Sequence, residues 1–156
     1  MGIIDEFAGN TSASITDISA SLATLVDRSN NTHSAVIQIV ASGTTVDNAT
    51  GLFYLRAPSE IDGMNLYRAQ AFVNAASSSE TSASMAVQIR NMTKYSSNDI
   101  LSTPVIITAG CLVGIPGVVN VSYDDVSTDD QLKIYVSSVS SGSPKGLQTV
   151  LEWIYS

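Results

Sequence analysis

Four aspartates, Asp124, Asp125, Asp129 and Asp130, flank the tripeptide Val126-Ser127-Thr128. Carboxylates packed that closely supply the oxygen ligands a hard cation such as calcium prefers, but their spacing is not that of an EF-hand loop. Acids in a short connection are otherwise simply hydrated, and solvation with no bound metal is the expectation here, with Val126 turned inward. Paired carboxylates also perform glycoside hydrolysis, and Glu60, Glu80, Glu152 and the aspartates are the residues available for it. Sugar-cleaving sites need aromatic platforms as well. The single tryptophan, Trp153, falls inside the last apolar run and reads as core.

Nucleophilic chemistry finds less to work with. His33 is the only histidine and Cys111 the only cysteine. No serine lies in a nucleophile motif, and His33 reads as part of a linker. One His and one Cys do not make a zinc site. Cys111, between Gly110 and Leu112, reads as a small apolar residue, and with no second cysteine there is no intrachain disulfide. The chain is therefore expected not to be an enzyme and to need no cofactor. Sequons at Asn10, Asn30, Asn48, Asn91 and Asn120 are what an Asn/Ser/Thr-rich chain produces by chance.

The strongest patterning concerns assembly. Ile15, Ile18, Leu22 and Leu25 repeat at spacings of three, four and three, a two-heptad seam. Ser14 precedes it as an N-cap, with Asp17 in the first turn, and the cluster Ser29-Asn30-Asn31 ends it, so a helix is expected over about residues 15–27. A lone helix of that length is marginal in water and must pack on something. Isoleucine at both a and d positions favours three or more strands, which makes a homotrimer the expectation; packing on the chain's own β domain is the alternative. Ahead of the helix, Ile3, Ile4 and Phe7 put three large apolar side chains on a terminal arm, the expected attachment point to a neighbouring protein.

From about residue 34 the pattern changes to short Val/Ile/Thr/Ser-rich runs separated by Gly, Pro, Asn and Asp, the mark of strands and turns. Expected strands include Ser34 to Ala41 with Ile37 and Ile39 on one face, Leu52 to Ala57, Met64 to Ala75, a half-buried strand with Met85, Val87 and Ile89 inward, Val105 to Ile107, Val118 to Tyr123, Leu132 to Val139 and Leu147 to Tyr155. The Met64 to Ala75 run is ambiguous between strand and helix. The reading is a mainly β protein: an antiparallel jelly-roll or β-sandwich domain over residues 34–156, preceded by an N-terminal arm and short oligomerising helix in residues 1–33. No βαβ pattern occurs, which removes nucleotide-binding α/β folds.

Bulk properties narrow the partners. The chain has 156 residues, with seven Lys and Arg against fourteen Asp and Glu, for a net charge of −7. There is no basic run, so nucleic acid is not an expected partner. No apolar run approaches the roughly 20 residues that span a bilayer, and the acidic start Met-Gly-Ile-Ile-Asp-Glu-Phe is not a signal peptide. Neither a membrane segment nor secretion is expected. Charged residues make up only 13%, about half the usual share, so Ser and Thr supply the polarity.

The blocks Val87-Gln88-Ile89-Arg90-Asn91-Met92-Thr93, Asp99-Ile100-Leu101-Ser102-Thr103-Pro104, Asp124-Asp125-Val126 with Asp129-Asp130-Gln131-Leu132-Lys133-Ile134, and Lys145-Gly146-Leu147 occur in this order. Over about residues 50 to 154 this series resembles a β domain of tailed-bacteriophage virion proteins, in which the third block forms a hairpin. The resemblance implies a trimeric structural protein: a capsid decoration (cement) or head-fibre protein held by the major capsid protein or another virion structural protein. Such a protein would assemble in the host cytoplasm and end on the virion surface. Residues 1 to 33 do not match that domain. The alternative it implies is a receptor-binding tail-fibre tip recognising host glycans, with loops Ser77 to Ser82 and Tyr95 to Asn98 exposed and Tyr95 as the candidate glycan contact.

Overall fold

The computed structural model describes residues 32–78, 84–140, 142 and 144–155. The expected helix and its seam residues Ile15, Ile18, Leu22 and Leu25, and the arm residues Ile3, Ile4 and Phe7, lie outside the described residues, as does most of the loop after Ser77. Among the described residues no helix is long and apolar enough to cross a membrane.

His33–Ile154 forms one unit built of ten strands: β1 His33–Thr45, β2 Leu52–Arg56, β3 Met64–Ala75, β4 Ser84–Asn91, β5 Leu101–Thr103, β6 Val105–Thr108, β7 Val118–Val119, β8 Asp125–Val126, β9 Gln131–Val139 and β10 Lys145–Ile154. A single 3-10 turn, Ser59–Ile61, precedes β3. Two four-stranded sheets run in the orders β1-β10-β3-β8 and β2-β9-β4-β6, with β5 and β7 as a small extra pair.

These orders have a simple origin. β1 pairs with β10, β2 with β9, β3 with β8 and β4 with β6, every pair antiparallel. The chain is thus one long folded ribbon, β1 to β4 going out and β6 to β10 coming back. Rolling it up adds the contacts of β10 with β3 and β9 with β4. That is the jelly-roll topology.

Period-2 alternation drives the strands together. Along β10, Leu147, Thr149, Leu151 and Trp153 are buried, and along β9 so are Leu132, Ile134 and Val136; their neighbours are less so. Facing rows from β3 and β4 complete a core containing Leu66, Val73, Met85, Val87 and Ile89. Trp153 is core, as its setting in the sequence suggested, and Val126 is fully buried.

The departures from simple alternation have local causes. In β3 both Tyr67 and Arg68 point outward because the register against β10 slips between Glu152 and Trp153. This bulge resets the phase of the pattern, which is why the run reads as ambiguous between strand and helix. A second slip in β1, between Gln38 and Val40, buries Ile37 with Val40 and leaves Ile39 half-buried, so Ile37 and Ile39 do not form the inward row. β4 is buried on both faces instead of one. The stretch from Ser96 to Leu101 lies against it: Gln88 donates to the Leu101 carbonyl at 2.9 Å and Arg90 to Asp99 at 2.8 Å. His33 opens β1 opposite Trp153 and does not belong to a linker. Val118 to Tyr123 is strand only at its first two residues, because Asn120 accepts from the Ser122 and Tyr123 amides and turns the chain.

The stretch from Leu112 to Asp124 follows the edge of β3. Val73 donates to the Leu112 carbonyl, Gly114 to Ala71, Gly117 to Ala69, and Leu66 to Asp124. The same stretch exchanges hydrogen bonds between Ile115 and Ile106 of β6, so it ties the two sheets together on this side. Close approach demands glycine at two points. A Cβ on Gly114 would sit 2.7 Å from Val105 Cγ1 and 2.9 Å from Ile107 Cγ1, and one on Gly117 would sit 2.7 Å from Leu101 Cδ1. Gly114→Ala should therefore force repacking of Val105 and Ile107 and cost about 1–3 kcal/mol. Chemical denaturation that shows an unchanged midpoint would contradict this close packing.

Candidate functional site

The aspartate-rich connection does not form a hairpin. β8 belongs to one sheet and β9 to the other, so residues 127–130 cross between sheets. The crossover is held by its own acids. Asp130 is 4% exposed. Its Oδ2 accepts from the Ser127 amide at 2.9 Å and from Asn91 Nδ2 at 2.8 Å. Asn91, fully buried at the end of β4, turns its own Oδ1 to the Thr93 and Lys94 amides, both at 3.1 Å. One side chain thereby joins the turn after β4 to the crossover.

The other acids are each committed elsewhere. Asp124 Oδ1 accepts from Asn65 Nδ2 at 2.7 Å. Asp125 takes the Lys94 ammonium at 2.6 Å and the Tyr95 hydroxyl. Asp129 sits at φ 69°, in the left-handed region that aspartate tolerates better than most residues, and pairs with Arg56 at 2.9 Å. Asp62, in the turn before β3, accepts from the Thr128 amide at 2.7 Å. The four acids do not project together into solvent as the sequence suggested: Asp124 and Asp130 are buried, and the Asp125 and Asp129 carboxylates are paired with cations. Among the described residues no group of three or more His, Cys, Asp or Glu side chains is arranged to hold a metal ion.

Tyr95 is half-buried. Its ring packs against Tyr123 with centroids 5.1 Å apart and tilted by 58°, and its hydroxyl is spent on Asp125. What the 95–98 loop offers a ligand is the ring edge and the exposed Ser96, Ser97 and Asn98. Of the carboxylates considered for hydrolysis, Glu152 pairs with Arg68 at 3.7 Å on the outer face of one sheet, Glu60 lies in the 3-10 turn, and Glu80 is outside the described residues. Cys111 is exposed, not buried. Thr108 donates to its sulfur at 3.3 Å.

Two surface features were not anticipated from the sequence. One is a cleft of about 220 Å³ between the edge strands β1 and β2, lined by His33, Ser34, Leu55, Pro58, Glu60 and Trp153 among others. The other is a row of exposed apolar side chains on the stretch that follows Cys111. The sequence signal nearest to the second is the pair Gly114 and Gly117: these glycines press backbone into the core, and Ile115 between them lies on the outside.

Charge around the crossover follows from these contacts. Burial pushes the Asp125 carboxyl up, but the hydrogen bonds from Lys94 and Tyr95 outweigh it and hold the group below the ordinary aspartate value. The bond to Asp125 in turn raises the Tyr95 phenol. The Thr128 amide holds Asp62 down. A carboxylate depressed in the folded state stabilises at pH above its unfolded value, and the benefit disappears as the pH falls through the folded value. The thermal midpoint should accordingly fall below about pH 4. Asp125→Asn should lower the midpoint at neutral pH and flatten the profile, the two proteins converging in acid. Parallel profiles across the range would show that Asp125 does not carry this dependence.

No known family matches the chain, and no curated protein matches it. Solved structures with similar backbones include a chain of the cyanophage Pam1 capsid asymmetric unit, at 8% identity and a TM-score of 0.47, covering 80% of this chain and 84% of that one. The Drosophila NLP core, described with its pentamer formation and histone binding, aligns at 11% identity and a TM-score of 0.43, covering 79% and 96%. A chain from the acid-stable capsid of the Helicobacter pylori bacteriophage KHP30 aligns at 14% identity and a TM-score of 0.37, covering 80% and 89%.

Proposed function

We propose that this chain is a structural virion protein of a tailed bacteriophage, a homotrimeric capsid decoration (cement) or head-fibre protein. The observation that carries the reading is the placement of the virion-like sequence blocks. They fall on β4, β8, β9 and β10 of the jelly roll and on β5 of the small extra pair, with the third block crossing between sheets where the virion domain has a hairpin. Jelly rolls serve viral capsid domains among other uses. A fold alone does not assign a function, so the blocks and their order matter more than the topology.

In this reading the seam of Ile15, Ile18, Leu22 and Leu25 joins three copies, and the arm with Ile3, Ile4 and Phe7 docks on the major capsid protein or another shell subunit. Burying a large apolar side chain fully is worth roughly 1.5–3 kcal/mol. Three arms on a symmetric shell site gain further from avidity. The domain itself remains a chemically quiet spacer, its acids turned to structure. The protein sits on the virion surface after assembly in the host cytoplasm and needs no cofactor, nucleic acid or membrane.

Immunogold labelling of particles is the direct test, and label distributed over the head is the expected result. Label confined to the tail end would transfer the protein to the fibre tip, with the 95–98 loop facing host glycans. For the assembly, Ile18→Asp with Leu22→Asp buries like charges in the seam and should reduce the trimer to monomer in light scattering at micromolar concentration, a change of several kcal/mol. A variant that stays trimeric would show that the β domains hold the trimer.

A further inference from the structure

The stretch after Cys111 spends its backbone on both sheets and leaves five large apolar side chains half or more exposed. Leu112 is 50% exposed, Val113 50%, Ile115 65%, Val118 55% and Val121 82%. Their outward direction is imposed by the fold. Gly114 and Gly117 press against Val105, Ile107 and Leu101, where no side chain fits, and Ile115 between them faces solvent. Val113 bridges to Phe72 and Ile115 to Ile106, both half-buried, which places the row over the seam between the sheets.

Charge is absent from the same stretch of chain. From Thr108 to Tyr123 there is no Asp, Glu, Lys or Arg, in a chain whose net charge is −7. Two copies of this protein carry the same net charge and so repel one another overall. They meet with least repulsion where neither carries charge. The five side chains present about 400–500 Å² of apolar surface, at the upper end of what a monomer usually leaves open. Two such faces together bury about 800–1,000 Å², at or just under the roughly 1,000 Å² that a specific contact clears, which fits a weak association. A largely apolar, uncharged face can meet a copy of itself, as an isologous two-fold contact requires.

We propose that the face formed by Leu112, Val113, Ile115, Val118 and Val121 is a contact between copies of this chain, the same face meeting itself. The contact is weak and concentration-dependent, and it is independent of the N-terminal seam.

Sedimentation velocity of the full chain tests it, in the Ile18→Asp, Leu22→Asp background so that any assembly through the seam is removed. Mass should rise with concentration up to several hundred micromolar. Adding Ile115→Asp and Val118→Asp should weaken self-association at least tenfold with little change in thermal midpoint, since both residues are exposed. The matching Ile115→Lys, Val118→Lys protein should also stay apart alone. Mixing the aspartate and lysine proteins should restore association, because opposite charges then face one another. A mixture that associates no better than its components, or a parent that never self-associates, overturns the proposal. So does an unchanged mass profile in the aspartate protein together with lost binding to particles, which would assign the face to another virion protein.

Discussion

Everything in this domain depends on the return half of the ribbon lying antiparallel on the outgoing half. Once β1 pairs with β10, β2 with β9, β3 with β8 and β4 with β6, the connections have little freedom: successive strands must change sheets. The chain therefore crosses the edge of the sandwich repeatedly, and each crossing exposes backbone groups that need partners. The aspartates near residue 130 are one answer. Asp130 accepts the Ser127 amide at the crossover from β8 to β9, Asp62 accepts the Thr128 amide, and Asp125 and Asp129 tie the connection to Lys94 and Arg56. The irregular stretch along β3 is another, using its own backbone to join the sheets.

That demand explains why residues chosen for chemistry in the sequence turn out to be structural. Asp130 and Asn91 read as part of an acidic turn and a strand end, and they are in fact a buried pair. Arg90, Asp99 and Tyr135 form a similar cluster further along the same sheet: Tyr135 donates to Asp99 at 2.8 Å and the Arg90 guanidinium lies 5.7 Å from its ring centroid. A polar residue type is visible in a sequence. Whether its polarity faces solvent or satisfies a crossing is decided by tertiary contacts that no local pattern carries.

The strands were legible where alternation is uninterrupted. β9 and β10 can be read almost residue by residue from Leu132, Ile134, Val136 and from Leu147, Leu151, Trp153. The jelly-roll or sandwich class followed from the spacing of such runs. β1 and β3 were harder because each contains a register slip, and a slip moves every later side chain to the other face. β4 was misjudged because the burial of its second face comes from residues about ten positions later. The stretch from Leu112 to Val121 was least legible. Its apolar residues look like core, and their exposure follows from the path of the backbone along the edge of β3, which no local pattern carries.

The pairing of first strand with last also bears on how the protein is made. β10 lies between β1 and β3, so one sheet has no centre until Lys145–Ile154 is available to pair. The early strands must wait with their apolar faces uncovered, in a topology dominated by distant contacts that fold slowly. A chain cut before Lys145 loses the shared neighbour of two strands. Closure of the domain thus waits on β10, and a chain without it leaves the apolar faces of β1 and β3 open to aggregation.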